Sequence, residues 1–115
     1  MDLLELVRLI LGGHGLNARQ WIQDANRTDL DWSTIPEPLG ATGRELIVGA
    51  ALVEMFADRA GKTYPEWTSR VGESALPIWL VRNDLLRFTQ RVLEETPKPL
   101  RSRNVFAPSD FLRLS

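Results

Sequence analysis

The sequence predicts an all-α protein: a single compact domain over residues 1–115, with about five helices around a central apolar helix near 43–60. Apolar residues recur at helical spacing in segments bounded by helix start and stop signals. With 115 residues, 43% of them apolar, the chain can bury a core of its own. It contains no cysteine, which excludes disulfide scaffolds, cysteine-ligated zinc, iron–sulfur clusters and thiol catalysis.

Two short helices are predicted in the N-terminal quarter. Leucine-rich residues 3–11 favour a helix that ends at Gly12. Asn17 and Gln20 have the spacing of a capping box, which predicts a second helix over residues 18–26. The side chains of this helix expected to face the core are Trp21, Ile22 and Ala25.

The central helix is bounded by local signals at both ends. Thr42 and Glu45 form a capping box, and Gly61 stands where a left-handed helix end belongs, so the helix is predicted over residues 43–60. The preceding residues 27–41 contain few periodic apolar positions, and we expect a helical turn or a docked segment there. The side chains expected to pin that segment to the core are Trp32, Ile35 and Leu39.

Two further helices are predicted in the C-terminal half. Residues 65–72 indicate a short helix that starts at a proline and ends at a glycine. Residues 78–81 are four apolar residues that periodicity leaves open between extended and helical. A helix over 84–95, capped by Asn83 or Asp84, should end before Pro97 and Pro99. Its expected buried side consists of Leu85, Leu86, Phe88, Val92 and Leu93.

Charge is distributed unevenly along the chain. Residues 1–58 carry a net charge of −5 and residues 59–115 carry +4, although the whole chain has only −1. Twelve of the fourteen basic residues are arginine, which binds carboxylates and phosphates in a planar, bidentate fashion. A genome that favours arginine codons explains this composition too. The functional interpretation is a basic C-terminal face that meets an acidic protein partner or nucleic acid.

Four arginines are the strongest candidates for that face. Arg87 and Arg91 lie one helical turn apart. Arg101 and Arg103 follow a proline-rich corner, and an extended chain would send both to the same side. We expect these four arginines to dock a partner, so that Arg101→Ala combined with Arg103→Ala removes binding and leaves stability nearly unchanged. The structural alternative is that these side chains bond helix-end carbonyls or nearby glutamates.

A nucleic-acid site is the second hypothesis. The two helices predicted near residues 3–26, joined by a glycine-containing turn, match a helix-turn-helix-like pair. Arg19, Gln20 and Gln23 on the second helix could contact base edges. Residues 1–27 hold three arginines against three acids, so attraction to phosphates would be weak there.

Catalysis has little support in the sequence. His14, the one histidine, has no second ligand at metal-binding spacing, so neither a metal site nor a cofactor is predicted. An enzyme of unrecognised type that uses His14 as an acid or base remains a third hypothesis. The four tryptophans are expected to anchor the core, and the functional alternative is that one of them is exposed as an interface anchor.

An ordered series of motifs runs through most of the chain. It comprises Ala18 to Ala25 (ARQWIQDA), Trp32, Pro36, the helix end from Glu54 to Gly61, Pro65 to Thr68 (PEWT), and Thr96 to Phe106 (TPKPLRSRNVF). The series resembles a group of small, largely uncharacterised bacterial proteins with the pattern ARQWxxDA, PxWT and PxxLRxRxxF. The resemblance implies an association with toxin–antitoxin-type or nucleotidyltransferase-linked pairs.

These observations predict a non-catalytic protein-binding or regulatory module, with the antitoxin-like half of a bacterial pair as its specific form. The start of the chain lacks the basic region of a signal peptide, and its longest apolar stretch, 46–57, is too short to span a bilayer. We therefore expect a soluble cytoplasmic protein with no membrane contact. The oligomeric state is left open by the sequence.

Overall fold

The predicted all-α class is confirmed by a computed structural model, which describes residues 2–81 and 86–112 and, for Leu86 and Arg87, the backbone alone. Helices contain 57% of the residues. The α-helices are α1 (Leu3–Leu11), α2 (Gly15–Arg27), α3 (Gly43–Ala60), α4 (Leu86–Glu95) and α5 (Lys98–Arg101). Two 3-10 helices span Trp32–Thr34 and Glu66–Arg70, and strands β1 (Ile78–Trp79) and β2 (Val105–Phe106) form a small parallel pair. Within the described residues 2–81 and 86–112, no helix is long and apolar enough to cross a membrane.

Helix α3 lies at the centre, with the predicted bounds. Its residues 48–57 are all buried, against α1, α5 and both 3-10 helices. The Thr42–Glu45 capping box is confirmed: the Glu45 N–H donates to Thr42 Oγ1 at 3.1 Å, and the Thr42 N–H donates to Glu45 Oε1 at 2.9 Å. Gly61 ends the helix at φ 68°, a left-handed conformation that glycine adopts without strain.

The predicted start of α2 is wrong. The helix begins at Gly15, so Asn17 lies inside its first turn, and His14 is the N-cap residue without a side-chain hydrogen bond. The His14 N–H donates to the Leu9 carbonyl at 2.8 Å, so the turn closes early and α2 starts directly after it. The Gln20 side chain donates to Asp24 instead of closing a capping box. Burial of Trp21, Ile22 and Ala25 is confirmed.

The segment before α3 docks as expected, with one exception. Trp32 and Ile35 are buried, and the predicted helical turn is the first 3-10 helix. The Ile35 carbonyl accepts a hydrogen bond from Trp67 Nε1 at 2.8 Å, and Trp32 stacks on Phe56 with ring centroids 4.6 Å apart. Leu39 is 88% exposed, so its predicted core role is wrong. Its neighbour Gly40 turns the chain away at φ 77°.

Residues 78–81 could be extended or helical by their sequence. In the structure residues 78–79 are extended, because they form β1, which pairs with β2. The short helix predicted over 65–72 is the second 3-10 helix. Helix α4 ends before Pro97 as predicted, while its expected start and the caps Asn83 and Asp84 lie outside the described residues. Of its predicted buried face, Val92 is buried, Phe88 is half-buried and Leu93 is exposed, which corrects the prediction for Leu93. The side chains of Leu85 and Leu86 lie outside the described part.

Tyr64 is the one tyrosine of the sequence, so the ionisation of its phenol tests the contact between Tyr64 and Asp58 at the end of α3. Tyr64 is 43% exposed, and partial desolvation of its phenol, followed by the hydrogen bond that it donates to Asp58 at 2.7 Å, raises the pKa of Tyr64 to about 12. The phenol of an unfolded chain ionises near pH 10, so this group's stabilising contribution is present below about pH 10 and is lost as the pH rises towards 12. We expect a tyrosinate absorbance midpoint near pH 12, and a lower one in Asp58→Asn, with circular dichroism recorded in parallel. A midpoint near pH 10 in still-folded protein would contradict the described contact.

Candidate protein-binding site

Arg103, one of the four predicted docking residues, is part of the core. Arg103 is 8% exposed, and its guanidinium makes a bidentate ion pair with the carboxylate of Glu54, a residue that is itself 7% exposed. The same guanidinium donates from Nη2 to the Thr68 carbonyl at 2.8 Å. The prediction that Arg103 faces a partner is therefore wrong, because its charge is already neutralised inside the protein.

The local backbone explains why Arg103 points inward. The residues before it are not extended: they form α5, and a turn with Asn104 at φ 62° connects this helix to β2. The alternation that would place Arg101 and Arg103 on one side therefore does not apply. Arg101 remains exposed at the end of α5, and Arg103 enters the space beside α3.

Two of the other arginines of the predicted patch, Arg91 and Arg101, bond the last residue of α4 and the residue after it. Arg91 is exposed and pairs with Glu95 on its own helix, with 3.3 Å between Nε and Oε1. Arg101 donates from Nη2 to the Thr96 carbonyl at 3.0 Å. A helix-end carbonyl and a nearby glutamate are the contacts expected for arginines that stabilise the fold and do not dock a partner. The Arg87 side chain lies outside the described residues.

The predicted nucleic-acid residues Arg19, Gln20 and Gln23 are all exposed on α2. The Gln20 amide, however, donates to Asp24 at 3.0 Å, and Asp24 also pairs with Arg27 at 3.4 Å. An aspartate among these side chains disfavours a phosphate backbone. The surface offers polar groups without a concentration of positive charge.

His14 is exposed in the turn between α1 and α2. Within residues 2–81 and 86–112 there is no cluster of three histidine, aspartate or glutamate side chains that could hold a metal ion. The hypothesis of an enzyme that uses His14 gains no partner residue from the described part of the fold, and it stays a hypothesis.

The arrangement best suited to binding surrounds Trp79. This tryptophan is 39% exposed, whereas the other three are only 5–6% exposed. Beside it lies a groove of about 530 Å³ between the end of α1, the start of α2 and the C-terminal segment. We call it the Trp79 groove and define it by Leu11, Gly15, Arg44, Trp79, Phe88 and Phe111.

Strand geometry places Trp79 at the surface. Successive side chains of a strand alternate between its two faces, so Ile78 is buried and Trp79 faces outward. Pairing of β1 with β2 sets Phe106 under the indole, with ring centroids 5.0 Å apart. The indole is thus held on an aromatic support while a large part of it remains accessible. Residues 78–81 are all apolar, so their sequence carries no alternation from which this orientation could have been predicted.

The groove continues along the surface towards α2. Gly13 and Gly15 also line a shallow depression next to Leu16, which is 85% exposed. The opposite wall includes Phe111, whose carbonyl accepts a hydrogen bond from Arg59 at 2.7 Å. An exposed aromatic residue, an apolar groove and an exposed leucine therefore follow one another on one surface.

A second depression, of about 480 Å³, lies between Ile22, Trp32 and Arg59. Its aromatic residues, Trp32 and Phe56, are both buried, and Arg59 donates to the carbonyls of Ser109 and Phe111. This depression presents little free aromatic surface, so it is the weaker candidate.

Arg44 provides the charge at the rim of the Trp79 groove. It is exposed and, among the described residues, forms no hydrogen bond or ion pair. The neighbouring Glu45 is already engaged: the hydrogen bonds from the Arg8 guanidinium and the Thr42 N–H hold the pKa of that carboxyl below its ordinary value. Arg44 thus has no counter-ion within residues 2–81 and 86–112, and apolar side chains line the groove beside it.

Comparison of the chain with family models, curated proteins and solved structures finds no match.

The buried ion pair yields a stability prediction that reverses the one made from the sequence. Arg103→Ala leaves the Glu54 carboxylate buried without its counter-ion, and we expect it to destabilise the fold by about 3–5 kcal/mol. Arg101→Ala removes an exposed side chain and should cost less than about 1 kcal/mol. Urea unfolding followed by circular dichroism measures both.

Replacing both partners is the informative control. In Glu54→Leu with Arg103→Met, no charge is left buried, so this double variant should be more stable than Arg103→Ala. If Arg103→Ala unfolds at the same urea concentration as the wild type, the ion pair does not exist in solution.

Proposed function

We propose that this protein is a non-catalytic protein-binding module that docks its partner on the Trp79 groove. The observation that carries the proposal is the exposure of Trp79 on a rigid aromatic support beside an apolar groove. Tryptophan is enriched among residues that dominate binding energy, and such residues sit in apolar pockets surrounded by a polar rim. Exposed apolar surface of this kind marks interaction sites in folded proteins.

The more specific proposal is that the chain is the antitoxin-like half of a bacterial pair. Its support is the resemblance of the ARQWIQDA, PEWT and TPKPLRSRNVF motifs to proteins associated with such pairs. The structure changes which of these motif residues are offered for docking, because Arg103 and Trp67 are buried. The surface proposed for the partner is the Trp79 groove, in place of the arginine patch expected from the sequence.

We predict that Trp79→Ala removes partner binding. An anchor residue of this type is worth at least about 2 kcal/mol, so affinity should fall by about 30-fold or more. Native co-purification from the host with mass spectrometry identifies the partner, and calorimetry with the purified pair measures the loss. The variant should keep the helical circular dichroism spectrum, since Trp79 lies outside the core.

Gly15→Leu tests the same surface without removing a contact. A side chain at Gly15 meets no described neighbour within 4 Å, so it projects from the groove wall and obstructs the partner. Gly43→Leu is the matched control, because Gly43 is also the first residue of its helix and is also free of such neighbours. A partner that binds all three variants as well as the wild type would show that docking occurs elsewhere.

DNA binding is the second candidate, favoured by the exposure of Arg19, Gln20 and Gln23 on one helix. It requires an affinity that falls steeply with salt, and it requires Arg19→Ala to weaken binding. A mobility-shift experiment at low salt with the protein's own promoter region tests it. No shift at low salt would remove this candidate.

A further inference from the structure

Among the described residues, the guanidinium of Arg44 makes no hydrogen bond or ion pair. Arg44 lies in the first turn of α3, where the helix dipole disfavours a cation. The nearest candidate counter-ion along the chain, Glu45, already accepts hydrogen bonds from Arg8 at Oε2 and from Thr42 at Oε1. The charge therefore contributes nothing visible to the described structure, and it remains available to a ligand.

The other described side chains that line the groove beside Arg44 are apolar. Its walls include Leu11, Trp79, Phe88 and Phe111, and Arg44 is the one charged residue among the described residues that line it. Sites that select a ligand commonly combine an apolar lining with a few polar groups that fix its orientation. A matching occupant is apolar and carries a single negative charge at the Arg44 end.

We infer that the Trp79 groove takes a short apolar segment of a partner protein, with one carboxylate of that segment paired to Arg44. This inference rests on the proposed function, and it adds the chemistry by which the partner is recognised. Guanidinium and carboxylate match in geometry, so a bidentate pair would fix the register of the segment while the apolar walls supply contact area.

The shape of the surface favours a chain segment over a small molecule. The groove shares Gly13 and Gly15 with the depression beside Leu16, so a chain segment lying in the groove could also reach that exposed leucine. A second copy of this chain could offer exposed Leu39 near Glu37. Such a head-to-tail contact joins two different surfaces and leads to open assemblies unless the rotation closes.

The experiment uses a panel of capped amphipathic helical peptides as probes. Each peptide has a stripe of leucines and a single glutamate, the glutamate being moved through the positions that flank the stripe. Each has a twin with glutamine in its place. Binding to the full chain is followed by tryptophan fluorescence and calorimetry for the wild type, Arg44→Gln, Gly15→Leu and the remote control Arg70→Gln. Arg70 is exposed and is not part of the groove.

We expect at least one glutamate peptide to bind about tenfold more tightly than its glutamine twin, the low end for a hydrogen bond to a charged group. This advantage should disappear in Arg44→Gln and persist in Arg70→Gln, and Gly15→Leu should weaken both twins. Equal binding of all twins would overturn the role of Arg44, while the proposed function would still be judged by co-purification with the partner.

Three further outcomes overturn the inference. The first is that no peptide binds while the native partner still depends on Trp79. The second is that decanoate binds in an Arg44-dependent manner and no peptide does, which assigns the groove to a small amphiphile. The third is self-assembly in light scattering that Gly15→Leu and Leu39→Ser both abolish, which assigns the groove to a second copy.

Discussion

Burial of the Arg103 guanidinium against the Glu54 carboxylate ties distant parts of the chain to the central helix. Glu54 lies in the middle of α3, and Arg103 comes from the turn that connects α5 to β2. The second contact of Arg103, to the Thr68 carbonyl, adds the second 3-10 helix to the same point. Each charge is tolerable in the interior only because the other is present, so the three segments must be assembled together.

The candidate binding surface depends on this assembly. The turn that carries Arg103 leads directly into β2, and the Ile78 N–H donates to the Asn104 carbonyl of that turn at 2.9 Å. Because β1 is aligned in this way, Trp79 lies over Phe106 and faces outward. A residue expected from the sequence to touch the partner instead positions the strand pair that presents the exposed tryptophan.

The start of a helix could be predicted where a capping box stands in the sequence and forms in the structure. The same capping-box spacing failed as a predictor where another hydrogen bond fixed the start of the helix. Thr42 and Glu45 form the predicted box because Arg8 bonds the other carboxylate oxygen of Glu45, Oε2, and leaves Oε1 to the Thr42 N–H. Asn17 and Gln20 have the same spacing, yet the turn bonded from His14 to Leu9 starts α2 earlier. A capping box can be predicted from the local sequence only where the residues that lead into the helix are not already hydrogen-bonded to the preceding helix.

The sequence by itself determined the helical class, both ends of α3 and the burial of its apolar face, since helix capping and periodicity act over a few residues. Only the tertiary structure decided which arginine is buried and which tryptophan is exposed. Arg103 and Glu54 are 49 residues apart, and β1 and β2 are separated by α4 and α5. Residue type alone does not distinguish the exposed tryptophan from the other three, or the buried arginine from the exposed ones. Their roles differ because burial depends on which distant segments pack around each side chain.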